Sequence, residues 1–384
     1  MIAKQIKKVP PSGIREFFDL VLGMPEVISL GVGEPDFITP WRIREKAITA
    51  LEKGLTSYTS NSGLFVLRQN ISLYYKNKHS LSYDPQKQIL ITSGVSEGLD
   101  LALRAVAEPK DKVIVVSPHY VAYPALTEIN NGKVLYLITK KEEGFKINLR
   151  QLENLLRYNP KAIILNYPSN PTGVTYSRTE LKAIWRVLKS KKITIISDEI
   201  YEELTYNQQH VPFSSLDKKA KSRTILLNGF SKGYAMTGFR VGFVCADAEI
   251  ISAMTKIHSY SALCTSIVSQ VAACETLYTQ KEVKKMVAEY KQRKDFIVRE
   301  LNRLGLDTIN PQGAFYCFSS IVKSGLNSLD FAKKLLFKEK VAVVPGKAFG
   351  KEFDSFVRIS YANSLDNLKE AVSRIERFLR KNNQ

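Results

Sequence analysis

Short apolar runs alternate with amphipathic segments through the middle of the chain. The runs predict β-strands at residues 88–92, 112–116, 133–138, 161–165, 193–197, 223–227 and 240–245. Most of them are continuously apolar and rich in β-branched residues, which is typical of strands buried on both faces of a sheet. Helical patterns lie between several runs, for example at 95–107 and 178–189. This alternation predicts an α/β domain built on a mainly parallel sheet.

The pattern changes after about residue 275. A long charged helix is predicted at 282–304, with strands at 313–318, 341–344 and 356–361 and helices at 329–337 and 365–379. We therefore expect three parts: an N-terminal segment (1–45) that packs with the small domain, a large α/β domain (46–275) and a small α+β domain (276–384). No Gly/Ser-rich linker separates the last two, so we expect a helix at their boundary.

Composition limits the class of protein. The chain has 384 residues and is 44% hydrophobic, enough for two domains with sizeable cores. No apolar run approaches the roughly 18 residues that span a bilayer, and the basic N-terminus lacks the apolar core of a signal peptide. We expect a cytoplasmic protein with no membrane partner. The four cysteines and four histidines show no metal-ligand spacing, so we predict free thiols and no metal site.

The net charge is strongly positive, at +19 from 56 basic and 37 acidic residues. Such an excess can indicate nucleic-acid binding. Here the basic residues are spread along the chain and mixed with acids, as in KEVKK at 281–285. A solvated surface that attracts acidic small molecules is the favoured interpretation.

The stretch NGFSKGYAMTGFR, residues 228–240, carries the most informative chemistry. Lys232 follows one predicted strand and Arg240 opens the next. A lysine amine at the end of a sheet can condense with an aldehyde, and a guanidinium group can hold a phosphate. The pair suggests covalently bound pyridoxal 5′-phosphate (PLP), although a solvated loop position is the commoner role of a lysine.

Polar motifs follow three other predicted strands: SGVSEG at 93–98, NYPSNPTG at 166–173 and SDEIY at 197–201. Ligands of open α/β sheets bind beyond the carboxyl ends of the strands, so Asn170, Asp198 and Tyr201 are candidates for one site. Each motif also has an ordinary structural alternative, such as a bare turn or a helix cap. The motif GVGEPDF at 31–37 lacks the third glycine of a dinucleotide-binding loop, and we reject that interpretation.

Taken together, the motifs at 30–37, 166–173, 197–201, 228–240 and 356–362 resemble those of class I/II, fold-type I PLP-dependent aminotransferases, closest to the aspartate, alanine and aromatic subgroup. They occur in the family's order and spacing, and the likeness extends from about residue 11 to 379. The resemblance implies a large domain with a mainly parallel mixed sheet flanked by helices, a smaller α+β domain and PLP as cofactor. It also implies a homodimer with shared active sites.

The resemblance assigns a role to each matching residue. Lys232 corresponds to the Schiff-base lysine and Asp198 to the acid at the pyridine nitrogen. Asn170 and Tyr201 correspond to the pair at the ring hydroxyl, and Tyr120 to the aromatic ring that stacks on the cofactor.

The remaining assignments concern the phosphate and the substrate. The phosphate-binding residues are Gly94, Val95 and Ser96 of the turn, Arg240, and Tyr58 from the neighbouring subunit. Many members carry a serine three residues before the lysine, where this chain has Gly229, and Ser231 is the candidate replacement. Arg358 matches the arginine that binds the substrate α-carboxylate, with Gly33 and Asn170 beside it.

The implied activity is amino-group transfer between an L-amino acid and a 2-oxo acid such as 2-oxoglutarate. Aspartate and aromatic donors are favoured, although no residue matches the distal arginine of dicarboxylate-specific members. A specialised biosynthetic donor of the prephenate or diaminopimelate type and PLP-dependent β-elimination are alternatives. A PLP-sensing DNA-binding regulator is a remote one, because no room is left for a DNA-binding domain. We expect small-molecule amino acids and 2-oxo acids as partners, and no nucleic acid.

Two smaller expectations concern segments outside these motifs. Residues 11–18 predict an amphipathic helix that either closes over the substrate or packs on the small domain, with Arg15 as a further carboxylate contact. Tyr260, Leu263 and Tyr361 are candidates for a pocket, with core packing favoured for each one.

Overall fold

The computed structural model describes residues 2–3, 6–7, 9–11, 13 and 23–382. Its strands, numbered along the chain, are β1 (Ile28–Ser29), β2 (Ile89–Thr92), β3 (Lys112–Ser117), β4 (Lys133–Ile138), β5 (Ala162–Asn166), β6 (Thr194–Asp198), β7 (Thr224–Gly229), β8 (Gly242–Cys245), β9 (Tyr316–Ser320), β10 (Val341–Ala342), β11 (Val344–Pro345) and β12 (Phe356–Ser360).

The helices of this part of the chain are Trp41–Glu52, Phe65–His79, Gly94–Val106, Ala122–Ile129, Leu149–Leu156, Arg178–Leu188, Lys218–Arg223, Ala248–Ser261, Ile267–Ala273, Gln280–Arg303, Ser328–Glu339 and Leu365–Asn382. None of the helices in the described ranges is long and apolar enough to cross a membrane.

A seven-stranded mixed sheet organises the larger part of the fold. Its order is β2-β8-β7-β6-β5-β3-β4. The strands from β3 to β7 run parallel, and β8 is antiparallel to both β2 and β7. Each predicted strand of this region is present with its ends within two residues of the predicted ones. The predicted fold class, an α/β protein with a mainly parallel mixed sheet, is confirmed.

Both faces of this sheet are buried, as the continuous apolar runs predict. In β3, for example, Ile114 packs into one hydrophobic cluster, whereas Val113 and Val115 pack into the cluster on the opposite face. Since all five parallel strands point the same way, their carboxyl ends lie along one edge of the sheet.

The C-terminal part contains a three-stranded antiparallel sheet of order β11-β12-β9 and a parallel pair formed by β1 and β10. The helices Gln280–Arg303, Ser328–Glu339 and Leu365–Asn382 contribute to the hydrophobic cluster of this part. The pairing of β1 with β10 attaches residues that precede the large sheet to this C-terminal unit. The division into three parts given above, with boundaries after residues 45 and 275, stays a prediction.

Three of the predicted strands have wrong bounds. The predicted strand at 341–344 is two short strands in different sheets, because β10 pairs with β1 while β11 pairs with β12. The strand predicted from residue 313 begins only at Tyr316, after Ala314, which has a φ of +57°. Similarly, Arg240 has a φ of +53° and precedes β8 instead of opening it. A left-handed residue cannot continue an extended strand. The helix predicted at 11–18, with Arg15, lies outside the described residues apart from 11 and 13.

Candidate active site

A cavity of about 550 Å³ opens at the carboxyl ends of the parallel strands. This volume is within the roughly 300–1,000 Å³ of small-molecule sites. The cavity brings together most of the residues predicted from the sequence: Gly33, Val95, Ser96, Tyr120, Asn170, Asp198, Tyr201, Ser231, Lys232, Arg240 and Arg358. Parallel strands explain this convergence, since the loops that follow β3, β5, β6 and β7 all leave the sheet on the same side.

Lys232 lies three residues beyond the end of β7 and lines the cavity. Its Nζ donates a hydrogen bond of 2.6 Å to the carbonyl oxygen of Gly33. Burial lowers the pKa of Lys232 to about 8, with the positive charges of Arg358 and Arg240 acting in the same direction. An amine with such a pKa is partly neutral near pH 7, so it can act as a nucleophile and as a base.

Asp198 ends β6 and is buried, with 5% of its surface exposed. The hydroxyl of Tyr123 donates to one carboxylate oxygen at 2.8 Å, and the backbone N–H of Ile200 donates to the other at 3.2 Å. Burial raises the pKa of Asp198 to about 6, against the effect of these two bonds. Each oxygen can accept a further bond, so the carboxylate can pair with a cationic ligand group in the cavity.

One end of the cavity is built for an anion. The helix Gly94–Val106 begins there with Gly94 at a φ of +76°, and its first N–H groups have no partner within the helix. A Cβ atom on Gly94 would lie 2.9 Å from a terminal nitrogen of Arg240, so the guanidinium packs against this turn. Ser231 is buried and lines the same cavity.

Arg358 is the most unusual residue of the site, because its buried guanidinium forms no ion pair with an acid in the described ranges. One terminal nitrogen donates to the Asn170 side-chain oxygen at 2.9 Å, and the other to the Gly31 carbonyl at 2.6 Å. Its Nε is buried without a hydrogen-bond partner in the described part. Burial also lowers the pKa of Arg358. A buried, uncompensated cation is costly, and a ligand carboxylate would supply the missing charge.

The sequence motifs missed two tyrosines that contact predicted residues. Tyr123 follows Tyr120 by three residues, and that helical spacing could have indicated a shared direction. Tyr316 approaches from β9, and its hydroxyl lies 3.0 Å from that of Tyr201. Tyr316 lies far from the other motifs in the sequence, so no local pattern indicated that it contacts the site.

Four predicted residues lie away from the cavity, and a fifth, Gly94, packs against Arg240 beside the cavity without lining it. Tyr58 is 80% exposed and Tyr260 90% exposed, so neither completes the site within one chain. Leu263 is also exposed, which contradicts the expectation of core packing for it and for Tyr260. Tyr361 is in the core, as favoured, and its hydroxyl donates to the Ala314 carbonyl at 3.2 Å.

The cavity thus has an amine, a buried carboxylate, an anion-binding turn and an unpaired guanidinium. The amine can bind an aldehyde covalently, and the carboxylate can hold a protonated ring nitrogen. The turn can hold a phosphate, and the guanidinium a second anion. This donor set fits a phosphorylated heteroaromatic aldehyde and an amino-acid substrate.

Comparison with known proteins gives a consistent result. A family model described as aminotransferase class I and II matches residues 25–375. An aspartate aminotransferase from Pyrococcus abyssi is 40% identical over 99% of this chain and 98% of its own length. A probable N-acetyl-LL-diaminopimelate aminotransferase from Bacillus subtilis is 40% identical over 99% and 96%. The crystal structure of an aromatic aminotransferase from Pyrococcus horikoshii OT3 superposes with a TM-score of 0.90, at 38% identity over 96% and 99%.

Proposed function

Since the chain belongs to the class I and II aminotransferases, we propose that its cavity holds PLP and exchanges the amino group of an L-amino acid with a 2-oxo acid. The family and the activity expected from the sequence are confirmed. The observation that carries the cofactor proposal is the presence of the Lys232 amine and the buried Asp198 carboxylate in the lining of one cavity, where burial lowers the pKa of the amine and raises that of the acid.

The residues that line or adjoin the cavity divide into groups that suit each part of PLP. Lys232 would bind the aldehyde covalently, and Asp198 would hold the pyridine nitrogen by a charge-assisted hydrogen bond. Gly94, Val95, Ser96, Ser231 and Arg240 would hold the phosphate, and Asn170 and Tyr201 the ring oxygen. Tyr120 would stack on the ring. When bound, PLP supplies an electron sink conjugated to the substrate Cα.

Lys232 has a second task once the amino acid has bound. Its Nζ takes the proton from the substrate Cα, and general acid–base catalysis of this kind contributes about 10²–10⁴-fold. The lowered pKa of Lys232 suits this task, because the amine must be neutral to accept a proton near pH 7. Arg358 orients the Cα–H bond by holding the α-carboxylate in its planar fork.

For the donor, we propose aspartate or an aromatic amino acid, with 2-oxoglutarate as an acceptor. The names of relatives support both donors. The cationic side chains that line the described cavity are Lys232, Arg240 and Arg358, and each has a role in the scheme above. A second carboxylate would therefore need a cation from outside this lining, whereas the half-buried Val32 offers an apolar surface to an aromatic side chain.

The half-reactions test this proposal directly. The purified protein should absorb visible light once PLP is supplied. An amino donor should bleach the band, and a 2-oxo acid should restore it without release of ammonia. Pyruvate and ammonia formed in the absence of a 2-oxo acid would instead indicate β-elimination.

Asp198→Asn should have opposite effects on stability and on cofactor binding. The folded-state pKa of about 6 exceeds the usual 3.8, so burying the ionised acid costs stability above pH 6, and the cost disappears as the pH falls towards 4. We expect the cofactor-free variant to be more stable at pH 7.5, on the order of 1–3 kcal/mol, with about one third of that gain at pH 4.5. It should also retain PLP more weakly.

Thermal unfolding at both pH values and dialysis of PLP measure these two effects. Asp366→Asn, at an acid whose side chain is 92% exposed, is the matched control and should change neither. An equal retention of PLP by Asp198→Asn would contradict the role given to this acid.

We further propose a homodimer in which Tyr58 reaches the phosphate of the partner subunit. The exposure of Tyr58 supports this, as do the exposed apolar side chains Trp41, Ile48 and Leu51 of one helix and Phe65, Val66 and Leu73 of the next. Exposed apolar groups on neighbouring elements are typical of protein interfaces.

Mixing two inactive variants tests the shared site. Lys232→Ala and Tyr58→Ala subunits, combined under conditions that allow exchange, should form mixed dimers with one complete site each. Random exchange gives at most about one quarter of wild-type activity. Assays of the mixture against each variant alone measure this. No recovery despite proven exchange would rule out the shared site.

A further inference from the structure

Tyr316 lies between Arg358 and Tyr201. The proposed function gives these two residues separate tasks, at the substrate carboxylate and at the ring oxygen of PLP. In the antiparallel pairing of β9 and β12, Tyr316 is opposite Ser360, and Phe318 is opposite Arg358. Tyr316 is therefore a diagonal neighbour of Arg358 on the same face. The guanidinium carbon lies 4.4 Å from the centre of the Tyr316 ring, and the ring is fully buried.

The hydroxyl of Tyr316 completes a short chain of hydrogen bonds. It lies 3.0 Å from the hydroxyl of Tyr201, and either oxygen can be the donor. Within the described residues, these two hydroxyls bond only to each other. A hydroxyl has one proton to donate. If Tyr201 donates to a ligand oxygen in the cavity, its own oxygen must accept from Tyr316.

The charge of Arg358 influences this chain. Burial raises the pKa of Tyr316, but the guanidinium beside the ring acts in the opposite direction. Arg358 therefore makes the Tyr316 hydroxyl a stronger donor than burial alone would allow. Since hydrogen bonds in series polarise one another, a stronger Tyr316 donor makes Tyr201 a stronger donor as well. A carboxylate bound to Arg358 would neutralise the charge and weaken both.

We propose that Tyr316 is a positioning residue that couples carboxylate binding at Arg358 to the hydrogen bond donated by Tyr201. The proposal rests on the proposed function, because it requires the ring oxygen of PLP at Tyr201. By this route, binding of the substrate carboxylate at Arg358 would change the hydrogen bond at the ring oxygen of the cofactor, although the carboxylate does not touch that oxygen. Asn170, whose side-chain oxygen accepts a hydrogen bond from Arg358 at 2.9 Å, offers a separate connection to the ring oxygen.

Tyr316→Phe tests the chain through the visible absorption of the holoenzyme. A weaker donor leaves more negative charge on the ring oxygen of the cofactor. That charge favours the form of the holoenzyme in which the Lys232 nitrogen bonded to the cofactor carries a proton. The midpoint of the pH-dependent absorption change should therefore move to higher pH. We expect a rise of about 0.3–0.5 of a pH unit for Tyr316→Phe and about one unit for Tyr201→Phe, which removes the bond itself.

The coupling itself is tested with 3-phenylpropionate, a carboxylate without an amino group. At saturation it should raise the midpoint of the wild-type protein, and the rise should be smaller in Tyr316→Phe. Tyr361→Phe is the matched control, because it removes a buried hydroxyl that lies outside the cavity. It should behave as wild type in both measurements, and thermal unfolding checks that both variants fold.

The outcomes separate the two proposals. A wild-type protein that develops no visible band overturns the proposed function, and the coupling with it. A wild-type band accompanied by the same midpoint and the same 3-phenylpropionate shift in Tyr316→Phe overturns the coupling alone. A raised midpoint with a reduced ligand shift, seen in Tyr316→Phe and not in Tyr361→Phe, supports it.

Discussion

Replacement of Lys232 by alanine is expected to abolish transamination, with a loss of at least about 10⁴-fold in kcat. The side chain supplies both the covalent attachment of the cofactor and the base at the substrate Cα, so the variant loses both at once. In the described part of the chain its single hydrogen bond is to the Gly33 carbonyl. The fold should therefore tolerate the change, and steady-state kinetics with a fold check by thermal unfolding measure the effect.

Two variants test whether Lys232 acts as a base or only supplies a positive charge. Lys232→Arg keeps the charge but has a pKa too high for a base, so it should be as inactive as Lys232→Ala. Small primary amines added to Lys232→Ala should restore part of the activity, because they can enter the vacated space and accept the proton. Substantial turnover by Lys232→Ala without added amine would contradict the assignment.

Replacement of Arg358 is expected to have the second largest effect. Arg358→Gln should lower kcat/KM by about 10²–10⁴-fold, since the lost bidentate, charge-assisted pair contributes on the order of 1.5–3 kcal/mol per bond. Arg358→Lys keeps the charge but loses the planar fork, so it should recover only a small part of this loss. Most of the change should appear in KM for the amino acid.

The Arg358→Gln substitution, which lowers activity, should not lower the stability of the ligand-free protein. The guanidinium of Arg358 is buried without an acidic partner in the described ranges, so it costs free energy in the ligand-free protein. Arg358→Gln should unfold at the same or a higher temperature than wild type. Arg377→Lys, at a half-exposed arginine paired with Glu339 outside the cavity, is the matched control and should leave kcat/KM unchanged. A marked loss of stability in Arg358→Gln with unchanged KM would argue for a structural role.

The sequence predicted the large sheet well because its strands are buried on both faces. A run such as β5, which is apolar at every position but the last, has no other common explanation between two helical patterns. The bounds were least reliable where backbone conformation ended a strand, as at Arg240 and Ala314. Periodicity contains no information about a single left-handed residue.

The site could be predicted only as far as local motifs extend. Lys232, Asp198 and Arg358 each follow or lie on a strand within a recognisable motif, so parallel topology alone brings the first two together. Tyr316 lies on β9, which pairs with β12, and it reaches Tyr201 because both side chains belong to one hydrophobic cluster. Both are tertiary contacts. Likewise, the sequence does not show that Arg358 has no acidic partner in the described ranges, because the tertiary fold determines which acids lie near it.

Each role proposed for the cavity depends on covalent binding of PLP to Lys232, which borohydride reduction can trap. Protein incubated with PLP, reduced, digested and analysed by mass spectrometry should carry one phosphopyridoxyl group, on the peptide that contains Lys232. Lys232→Ala treated in the same way should carry none at the site. A wild-type protein that stays colourless and unlabelled, or that is labelled equally on surface lysines and in the variant, would rule out a covalent bond between PLP and Lys232.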